Sequence, residues 1–437
     1  FMLSFLFSKT PLSFFAQSLW RDEAFSYFLA KKNIFEIIFL TAKDFNPPLY
    51  YLLLHFWIKI FGGSEIALRS MSLIFYWGTI YFIFLFLKEI LKIKEKLFLF
   101  LFLILFVVNP LLIYYAFEAR MYTLLAFFSV FSSYAFLKEN KKKYLFALIF
   151  GLLSHYFMIF IFLSQLKTFF IFKKKFKNFN LKLFVYPITI FAIWMVFVFF
   201  QKYELIAKNF WINKTNLIDI KYLPAIIFTG YEKGFSFVYE RRGYLSLLLF
   251  LIILSNFFIK KEKTPEKKVV FFYLLLSGFI TPIIIFIISF FKPIFLPRYL
   301  IGQSIVFLLL VIYSLNKINK KIFSLIILSI LIYFSFDYQK LQIQFRRKSN
   351  YKKLYHEIKT LAKKDDLVYV TSELDYFTAG YYFDINRVKI FNKIYEKIPD
   401  YVGKILIPKE AITFSLPSYP KKAFIVENNS YSIQAVF

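Results

Sequence analysis

The chain has 437 residues, of which 59% are hydrophobic and 23% aromatic, and it carries a formal net charge of +30 with no cysteine. This composition leaves too few polar residues to cover a soluble protein of this size. The absence of cysteine excludes disulfides, thiolate metal sites and cysteine nucleophiles. The positive charge is scattered through short loops and no RNA-binding module is recognisable, which argues against a nucleic-acid partner.

Apolar runs separated by lysine-rich loops predict a polytopic α-helical membrane protein with about eleven transmembrane helices. Most runs are about as long as a helix needs to cross a bilayer, roughly 20 residues. The stretch 144–172 is interrupted by His155 and is interpreted as two spans, because the loop charges then alternate. One span lies at the N-terminus, and the others cover residues 66–87, 97–116, 121–137, 144–154, 156–172, 183–200, 243–259, 269–291, 299–315 and 322–336.

The loops between the spans predict the orientation of the chain. Lysine-rich loops lie at 88–96, 138–143, 173–182, 260–268 and 316–321. They alternate with loops at 19–65, 117–120, 155, 201–242 and 292–298. The positive-inside rule places the lysine-rich set in the cytoplasm. The second set, and the chain after about residue 337, are therefore expected to be extracytoplasmic.

The first span admits two interpretations. Only FMLSFLF precedes Lys9, and Pro11 follows closely. Either a span over 1–19 contains a buried lysine, which is costly, or Lys9 marks the outer end of a span whose beginning is missing. We favour the second interpretation.

The regions outside the spans divide the chain into two expected domains. Residues 1–337 form a transmembrane domain, and residues 338–437, where helical periodicity alternates with short strand patterns, form a small extracytoplasmic α/β domain. Within the first domain, about residues 32–62 predict two amphipathic helices at the outer membrane-water boundary. Pro47 and Pro48 separate those helices.

Unusual polar residues gather on the predicted outer side of the membrane. Taken singly, each has an ordinary explanation as an interfacial anchor, a snorkelling pair, a solvated turn residue or a lipid headgroup contact. Their common location favours a functional site. The residues are Asp22, Glu23, Glu118, Arg120, His155 and Arg298.

Carboxylates and cations at a membrane face suit one class of chemistry. A sheltered carboxylate accepts a proton from an incoming hydroxyl or amine. A neighbouring cation stabilises the charge of a departing phosphate. We therefore expect transfer of a sugar from a lipid-linked phosphate, with the lipid tail between the helices and the sugar projecting toward Asp22.

An ordered series of motifs over residues 18–337 carries a family resemblance. The motifs are LWRDEAFS, DFNPPLYYLLLHFW, FGGSEIALRSMS, NPLLIYYAFEARMYTLL, LLSHYFM and LPRYLIG. They resemble the bacterial branch of the dolichyl-phosphate-mannose protein mannosyltransferase-like family. That family belongs to the C-type glycosyltransferase superfamily, which also contains the aminoarabinose transferases that modify lipid A. The resemblance implies the C-type fold in a bacterial inner membrane, a polyprenyl-phosphate sugar donor and inversion at the anomeric carbon.

The same resemblance implies roles for individual residues. Asp22 matches the catalytic base, and Glu23 matches its partner in orienting the acceptor or the site. Arg298 matches a late arginine that contacts the donor phosphate. The remaining matches are residues that complete the site: Glu118, Arg120 and His155. Arg120 is also a candidate to bind the donor phosphate.

Departures from the family pattern leave several points open. Arg21 precedes the acidic pair at a position where the family has an aromatic or variable residue. Arg21 is therefore a third candidate to bind the donor phosphate. Sugar-binding repeats of the eukaryotic protein transferases are absent, so a lipid, a glycan or a protein remains open as the acceptor. No cofactor is certain. A divalent metal stays open, with Glu23, Glu118 and His155 as candidate ligands.

Two other functions are alternatives. An O-antigen ligase or polymerase also joins lipid-linked glycans, but such proteins usually carry paired arginines in a large outer loop. The segment YERRGY (239–244) resembles that feature only weakly. A lipid-linked glycan flippase is expected to show charges inside the bundle or inverted repeats. No internal repeat is recognisable here.

Overall fold

The computed structural model describes residues 8–44, 46–201, 211–233, 237–258 and 264–436. They divide into two compact units. The first is built mainly from residues 70–197 and 212–346, and the second mainly from residues 12–69 and 347–436.

The first unit is a bundle of helices whose positions follow the apolar runs. One long segment, Pro265–Ile288, is continuous because a π-helical turn, Leu276–Ile280, joins two α-helices. The helices are Glu65–Leu85 (from residue 70 onward) with its π-helical end Phe86–Ile90, Lys96–Val107, Pro110–Ala116, Tyr122–Leu137, Lys141–Leu152, Met158–Ile171, Lys182–Gln201, Leu223–Thr229, Arg242–Phe258, Pro265–Leu275, Thr281–Ile288, Ile301–Asn316 and Lys321–Phe345.

Five of the described helical segments are long and apolar enough to cross a membrane: Glu65–Ile90, Lys182–Gln201, Pro265–Ile288, Pro297–Asn316 and Lys321–Phe345. A sixth arises if the pair Lys96–Val107 and Pro110–Ala116, bent by 58°, counts as one span. These segments support a multi-pass membrane protein. The count of eleven stays a prediction, because other helices of the bundle are shorter and residues 1–7 of the first expected span lie outside the described residues.

Helix Ile301–Asn316 forms the centre of the first unit. All its residues from Ile301 to Leu315 are buried. Neighbouring glycines allow this close packing: a Cβ atom on Gly278 would lie 2.6 Å from the backbone nitrogen of Phe307. Small residues at such contacts let helix backbones approach each other inside membranes.

The second unit combines N-terminal helices with a C-terminal α/β fold. The N-terminal helices are Ser13–Ala16, Arg21–Ala30, Ile34–Lys43 and Leu49–Phe61, and the C-terminal ones are Tyr351–Leu361 and Tyr376–Tyr382. The strands are β1 (Leu367–Val370), β2 (Val388–Phe391), β3 (Ile412–Thr413), β4 (Ala423–Glu427) and β5 (Ser430–Gln434). They form one sheet in the order β3-β2-β1-β4-β5, parallel except for the β4–β5 pair.

Residues 12–69 group with the C-terminal fold. The domain boundary expected at residue 337 stays a prediction. The backbone N–H of Leu19 donates to the Tyr382 hydroxyl at 2.7 Å. The rings of Phe25 and Phe377 pack edge to face, with centroids 5.5 Å apart. These contacts join segments that are distant in sequence, which a local pattern does not reveal.

The two helices expected between about residues 32 and 62 begin and end at recognisable signals. Asn33 caps the first helix, its side chain accepting from the backbone of Glu36 at 2.9 Å. Pro48 precedes the second. Both expose large apolar side chains, with Phe35 84% and Ile60 72% exposed. Their location at the membrane boundary stays a prediction.

Gly278→Ala tests the packing around the central helix. We expect this substitution to lower stability by about 1–3 kcal/mol, because the added methyl group meets backbone that cannot rotate away. Gly243→Ala is the matched control, since a Cβ there meets only the ring of Tyr222, at 3.7 Å. Thermal unfolding of the purified variants measures the difference, and equal midpoints for both would contradict the packing argument.

Candidate functional site

Arg21, Asp22 and Glu23 form the first turn of helix Arg21–Ala30 in the second unit. Acidic side chains are favoured at this end of a helix, where unpaired N–H groups and the helix dipole attract negative charge. One carboxylate oxygen of Glu23 accepts from the backbone N–H of Trp20 at 3.3 Å. The two adjacent carboxylates nevertheless lie in different environments.

Glu23 is fully buried between two cations. Arg69 donates from Nε to Oε1 at 2.8 Å and from Nη2 to Oε2 at 2.7 Å, a two-pronged pair. Lys348 donates to Oε2, also at 2.7 Å. Burial raises the pKa of Glu23, but the charges and hydrogen bonds of Arg69 and Lys348 outweigh burial and lower that pKa to about 2. The stability contributed by this ionised group is therefore lost only as pH falls toward that value.

Arg69 also fixes the chain that precedes the acidic residues. Its side chain is 0% exposed. Its guanidinium donates to the backbone carbonyls of Phe15, Gln17 and Ser18 in addition to Glu23. Arg69 thus sets where helix Arg21–Ala30 begins and where Asp22 lies.

Asp22 remains accessible. Its side chain is 25% exposed and lies 3.3 Å from Nε of Arg21. The Ser26 hydroxyl donates to the backbone carbonyl of Asp22 at 2.8 Å and not to its carboxylate. A substrate group can therefore approach the carboxylate of Asp22, whereas that of Glu23 is enclosed.

The C-terminal fold contributes groups to this region that sequence reasoning missed. The Tyr351 hydroxyl donates to Asp375 at 2.9 Å. Burial raises the pKa of Asp375 above its usual value, against the hydrogen bond from Tyr351 and the charge of Arg21. Lys348, which pairs with Glu23, lies in the segment leading into the same fold.

In the first unit, His155 occupies the turn between helices Lys141–Leu152 and Met158–Ile171. Its Nδ1 accepts from the backbone N–H of Phe157 at 3.1 Å, so the neutral ring carries its proton on Nε2. Burial, and next the positive charge of Arg120, lowers the pKa of His155 to about 3. His155 is therefore a neutral side chain at physiological pH.

Aromatic rings connect His155 with Arg298. The ring of Tyr299 lies 5.0 Å from that of His155 and 6.3 Å from that of Tyr122. Tyr122 in turn lies 6.0 Å from the guanidinium carbon of Arg298. Arg298 itself follows Pro297 in a short 3-10 turn that leads into the central helix. The helix that organises the bundle thus also positions this arginine.

A second carboxylate, that of Glu232, faces the same arginine. Its Oε2 lies 3.6 Å from Nη2 of Arg298, and both side chains are at most 10% exposed. The Tyr115 hydroxyl donates to Oε1 of Glu232 at 3.5 Å, a long hydrogen bond. Tyr115 also interacts electrostatically with Arg298, Glu118 and Arg346, which places all these charges in one neighbourhood.

Glu118 and Arg120 lie in the turn before helix Tyr122–Leu137. The turn is held by the Ser72 hydroxyl, which donates to the Glu118 carbonyl at 2.7 Å. The Arg120 backbone N–H donates to the same carbonyl at 2.8 Å. Both residues are buried: Glu118 is 2% exposed and Arg120 is 8% exposed.

The structure thus gathers Glu118, Arg120, His155 and Arg298 in the first unit, and Arg21, Asp22 and Glu23 in the second. Each unit supplies both carboxylates and cations. Among the described residues, no group of three or more histidine, aspartate or glutamate side chains is placed to hold a metal ion.

Two residues of the first cluster were missed, and only one carried a sequence signal. Arg346 donates to the carbonyl of Gly230 at 3.3 Å and stacks on Tyr114. It begins the run Arg346–Lys348, which stands just after the last span on the predicted outer side, where the positive-inside rule disfavours cations. Glu232 lies in an irregular segment without periodicity, and nothing in the sequence distinguishes it from other loop glutamates.

Comparison with known proteins identifies the fold. No family model matches the chain, and no curated protein matches it. Among solved structures, the chain is similar to the crystal structure of ArnT from Cupriavidus metallidurans in the apo state. The TM-score is 0.64 with 10% sequence identity, over 95% of this chain and 88% of that one. The fold agrees with the C-type fold expected from the sequence. The dolichyl-phosphate-mannose branch stays a prediction.

Arg69→Met tests the role of the buried cation. Removing one partner of a buried ion pair typically costs about 3–5 kcal/mol, so we expect a large fall in the thermal midpoint. Glu23→Gln is also expected to lower the midpoint, because it leaves the buried cations Arg69 and Lys348 without their carboxylate. Lys353→Met is the matched control, since Lys353 makes only an exposed contact of 3.9 Å with Glu357. A midpoint for Arg69→Met equal to that of the control would contradict this assignment.

Proposed function

We propose that this chain is an integral-membrane glycosyltransferase. It moves a sugar from a polyprenyl-phosphate-linked donor to an acceptor on the extracytoplasmic face of a bacterial inner membrane, with inversion at the anomeric carbon. The proposal draws on the fold shared with ArnT, a lipid A aminoarabinose transferase. It also draws on the charged clusters of the two units.

The observation that carries the proposal is the contrast between Asp22 and Glu23. Adjacent carboxylates whose environments differ commonly have different roles in acid-base chemistry. Glu23 is ionised and saturated with hydrogen bonds, which suits a positioning residue. Asp22 is held beside it and partly exposed, which suits a base that meets the acceptor.

The reaction follows from these roles. The acceptor oxygen or nitrogen attacks the anomeric carbon on the face opposite the phosphate and transfers its proton to Asp22. The new bond to the sugar forms as the bond between the anomeric carbon and the phosphate oxygen breaks, and that electron pair leaves with the polyprenyl phosphate. Attack from the opposite face inverts the configuration.

Cations of the first unit suit the departing phosphate. Arg298, Arg120 and Arg346 are nearly or fully enclosed by protein, and a charge-assisted hydrogen bond is stronger there than in water. Glu232 balances Arg298 before the phosphate arrives and limits the cost of a buried charge. Arg21, beside Asp22, is a further candidate. The neutral His155 orients neighbouring groups without adding charge.

The orientation and the acceptor are also part of the proposal. The lysine-rich loops favour an outer location for both clusters. A lipid-linked donor reaches this face by lateral movement in the membrane. The arginines of the YERRGY segment are directed to different partners: Arg241 pairs with Asp337, and Arg242 stacks on Tyr222. They do not form the paired-arginine arrangement expected of an O-antigen ligase.

Asp22→Asn tests the base. We expect at least about a 100-fold loss of transfer, the lower end of what general acid-base catalysis contributes. Purified protein receives a radiolabelled polyprenyl-phosphate sugar and a membrane-lipid extract, and label in the acceptor fraction is counted. Asp400→Asn, at an exposed carboxylate of the second unit, is the control. Unchanged transfer by Asp22→Asn would remove Asp22 from this role.

Arg298→Ala tests the phosphate contact. Losing a hydrogen bond to a charged group typically costs about 1.5–3 kcal/mol, so we expect donor affinity to fall roughly ten- to a hundredfold with acceptor preference unchanged. Arg298→Lys should restore part of it. Arg241→Ala, at an arginine already paired with Asp337, is the control. Altered acceptor preference at constant donor affinity would contradict the assignment.

A further inference from the structure

A groove on the first unit lies outside the charged cluster. It runs between the 3-10 turn Leu217–Tyr222, the start of helix Arg242–Phe258 and the segment 279–283, and its volume is about 580 Å³. Ligand pockets commonly measure roughly 300–1,000 Å³. Its walls are mainly apolar and include Ile220, Leu223, Pro224, Leu247, Phe250 and Ile283.

The groove opens toward the outside of the helix bundle. Leu247 is 57% and Phe250 43% exposed. Both project from helix Arg242–Phe258, one of the apolar helices of the bundle. In a membrane protein, exposed apolar side chains on such a helix face lipid, so an acyl chain can enter the groove from the bilayer.

Two cations border the groove: Lys221 is one of its lining residues, and Arg242 directly precedes Gly243, another lining residue. The guanidinium carbon of Arg242 lies 4.5 Å from the ring centre of Tyr222, and Nζ of Lys221 lies 5.0 Å from the same centre. Arg242 also donates to the carbonyl of Tyr239 at 2.9 Å. Within the ranges that the structure describes, neither cation forms an ion pair with a carboxylate. The apolar walls of the groove are complementary to a lipid tail, and the two cations beside it are complementary to an anionic headgroup.

We infer that this groove binds one bilayer phospholipid with a net negative headgroup. The acyl chain lies along Leu247 and Phe250, and the phosphate lies against Arg242 and Lys221. Basic pockets between membrane helices bind anionic headgroups by this combination of charge and burial. The proposal does not depend on the glycosyltransferase activity.

The groove is connected to the charged cluster through a short stretch of chain. Helix Leu223–Thr229 leaves the groove wall and leads to Gly230, whose carbonyl accepts from Arg346, and to Glu232, which faces Arg298. The ring of Tyr231 lies 5.7 Å from Arg242. A bound phospholipid would thus support the segment that carries Glu232.

Native mass spectrometry of the delipidated protein tests this site without an activity measurement. Phosphatidylglycerol and phosphatidylcholine with the same acyl chains are titrated separately, with a polyprenyl phosphate as a third arm. We expect tighter binding of phosphatidylglycerol, and roughly tenfold weaker binding in the double variant Lys221→Gln/Arg242→Gln. Phosphatidylcholine, whose phosphate is already neutralised by its choline group, should lose less affinity in that variant, and Arg242→Lys should retain the preference.

Gly243→Leu tests the tail. Gly243 lines the groove, and its position accepts a Cβ at ordinary contact distance from Tyr222. The leucine should weaken both phospholipids. Ser329→Leu is the matched control, since it fills a second apolar groove, of about 430 Å³, where the nearby Arg241 is already paired with Asp337.

Three results would overturn the inference: equal affinity for the two phospholipids in the wild type, equal effects of Gly243→Leu and Ser329→Leu, or unchanged phosphatidylglycerol binding in the folded double variant. Preferential binding of the polyprenyl phosphate through Lys221 and Arg242 would also overturn it, because the groove would then belong to the donor.

Discussion

The enclosed carboxylate of Glu23 imposes the strongest constraint on the acidic motif. An ionised carboxylate without water is tolerated only when cations and hydrogen bonds replace its solvation. Arg69 and Lys348 provide this replacement from two segments of the second unit that are far apart in the sequence. Neither can move without leaving a buried charge unbalanced. The start of helix Arg21–Ala30, and with it Asp22, is therefore fixed by electrostatics rather than by helix propensity.

The cluster of the first unit follows a different principle. Its charges are set among aromatic rings: Tyr122 lies near both Arg298 and Tyr299, and the ring of Tyr299 lies near that of His155. The carboxylate of Glu232, 3.6 Å from Arg298, limits the cost of burying that cation. Aromatic neighbours thus surround the charges of the first unit, whereas hydrogen bonds from two cations hold Glu23.

Local patterns in the sequence predicted where helices of the first unit lie. They did not predict which segments of the chain group into one unit. The helix Tyr122–Leu137 agrees closely with the expected span 121–137, because apolar length is a property of the segment itself. The grouping of residues 12–69 with the C-terminal fold depends on contacts such as that between Leu19 and Tyr382, 363 residues apart, which no periodicity encodes. Arg69 carried an unused signal: an arginine at the beginning of an apolar helix needs a partner. Glu232 carried none, since its role comes only from its distance to Arg298.

The enclosure of helix Ile301–Asn316 has a consequence for how the molecule assembles. Hydropathy marks this segment as a membrane span, yet every residue from Ile301 to Leu315 is buried among the neighbouring helices. If this segment enters the bilayer alone, its apolar side chains first contact lipid. Those contacts are replaced by contacts with neighbouring helices, and this requires the neighbouring helices to be inserted already. Since Arg298 lies in the turn directly before this helix, its side chain reaches its place only when the neighbouring helices have packed.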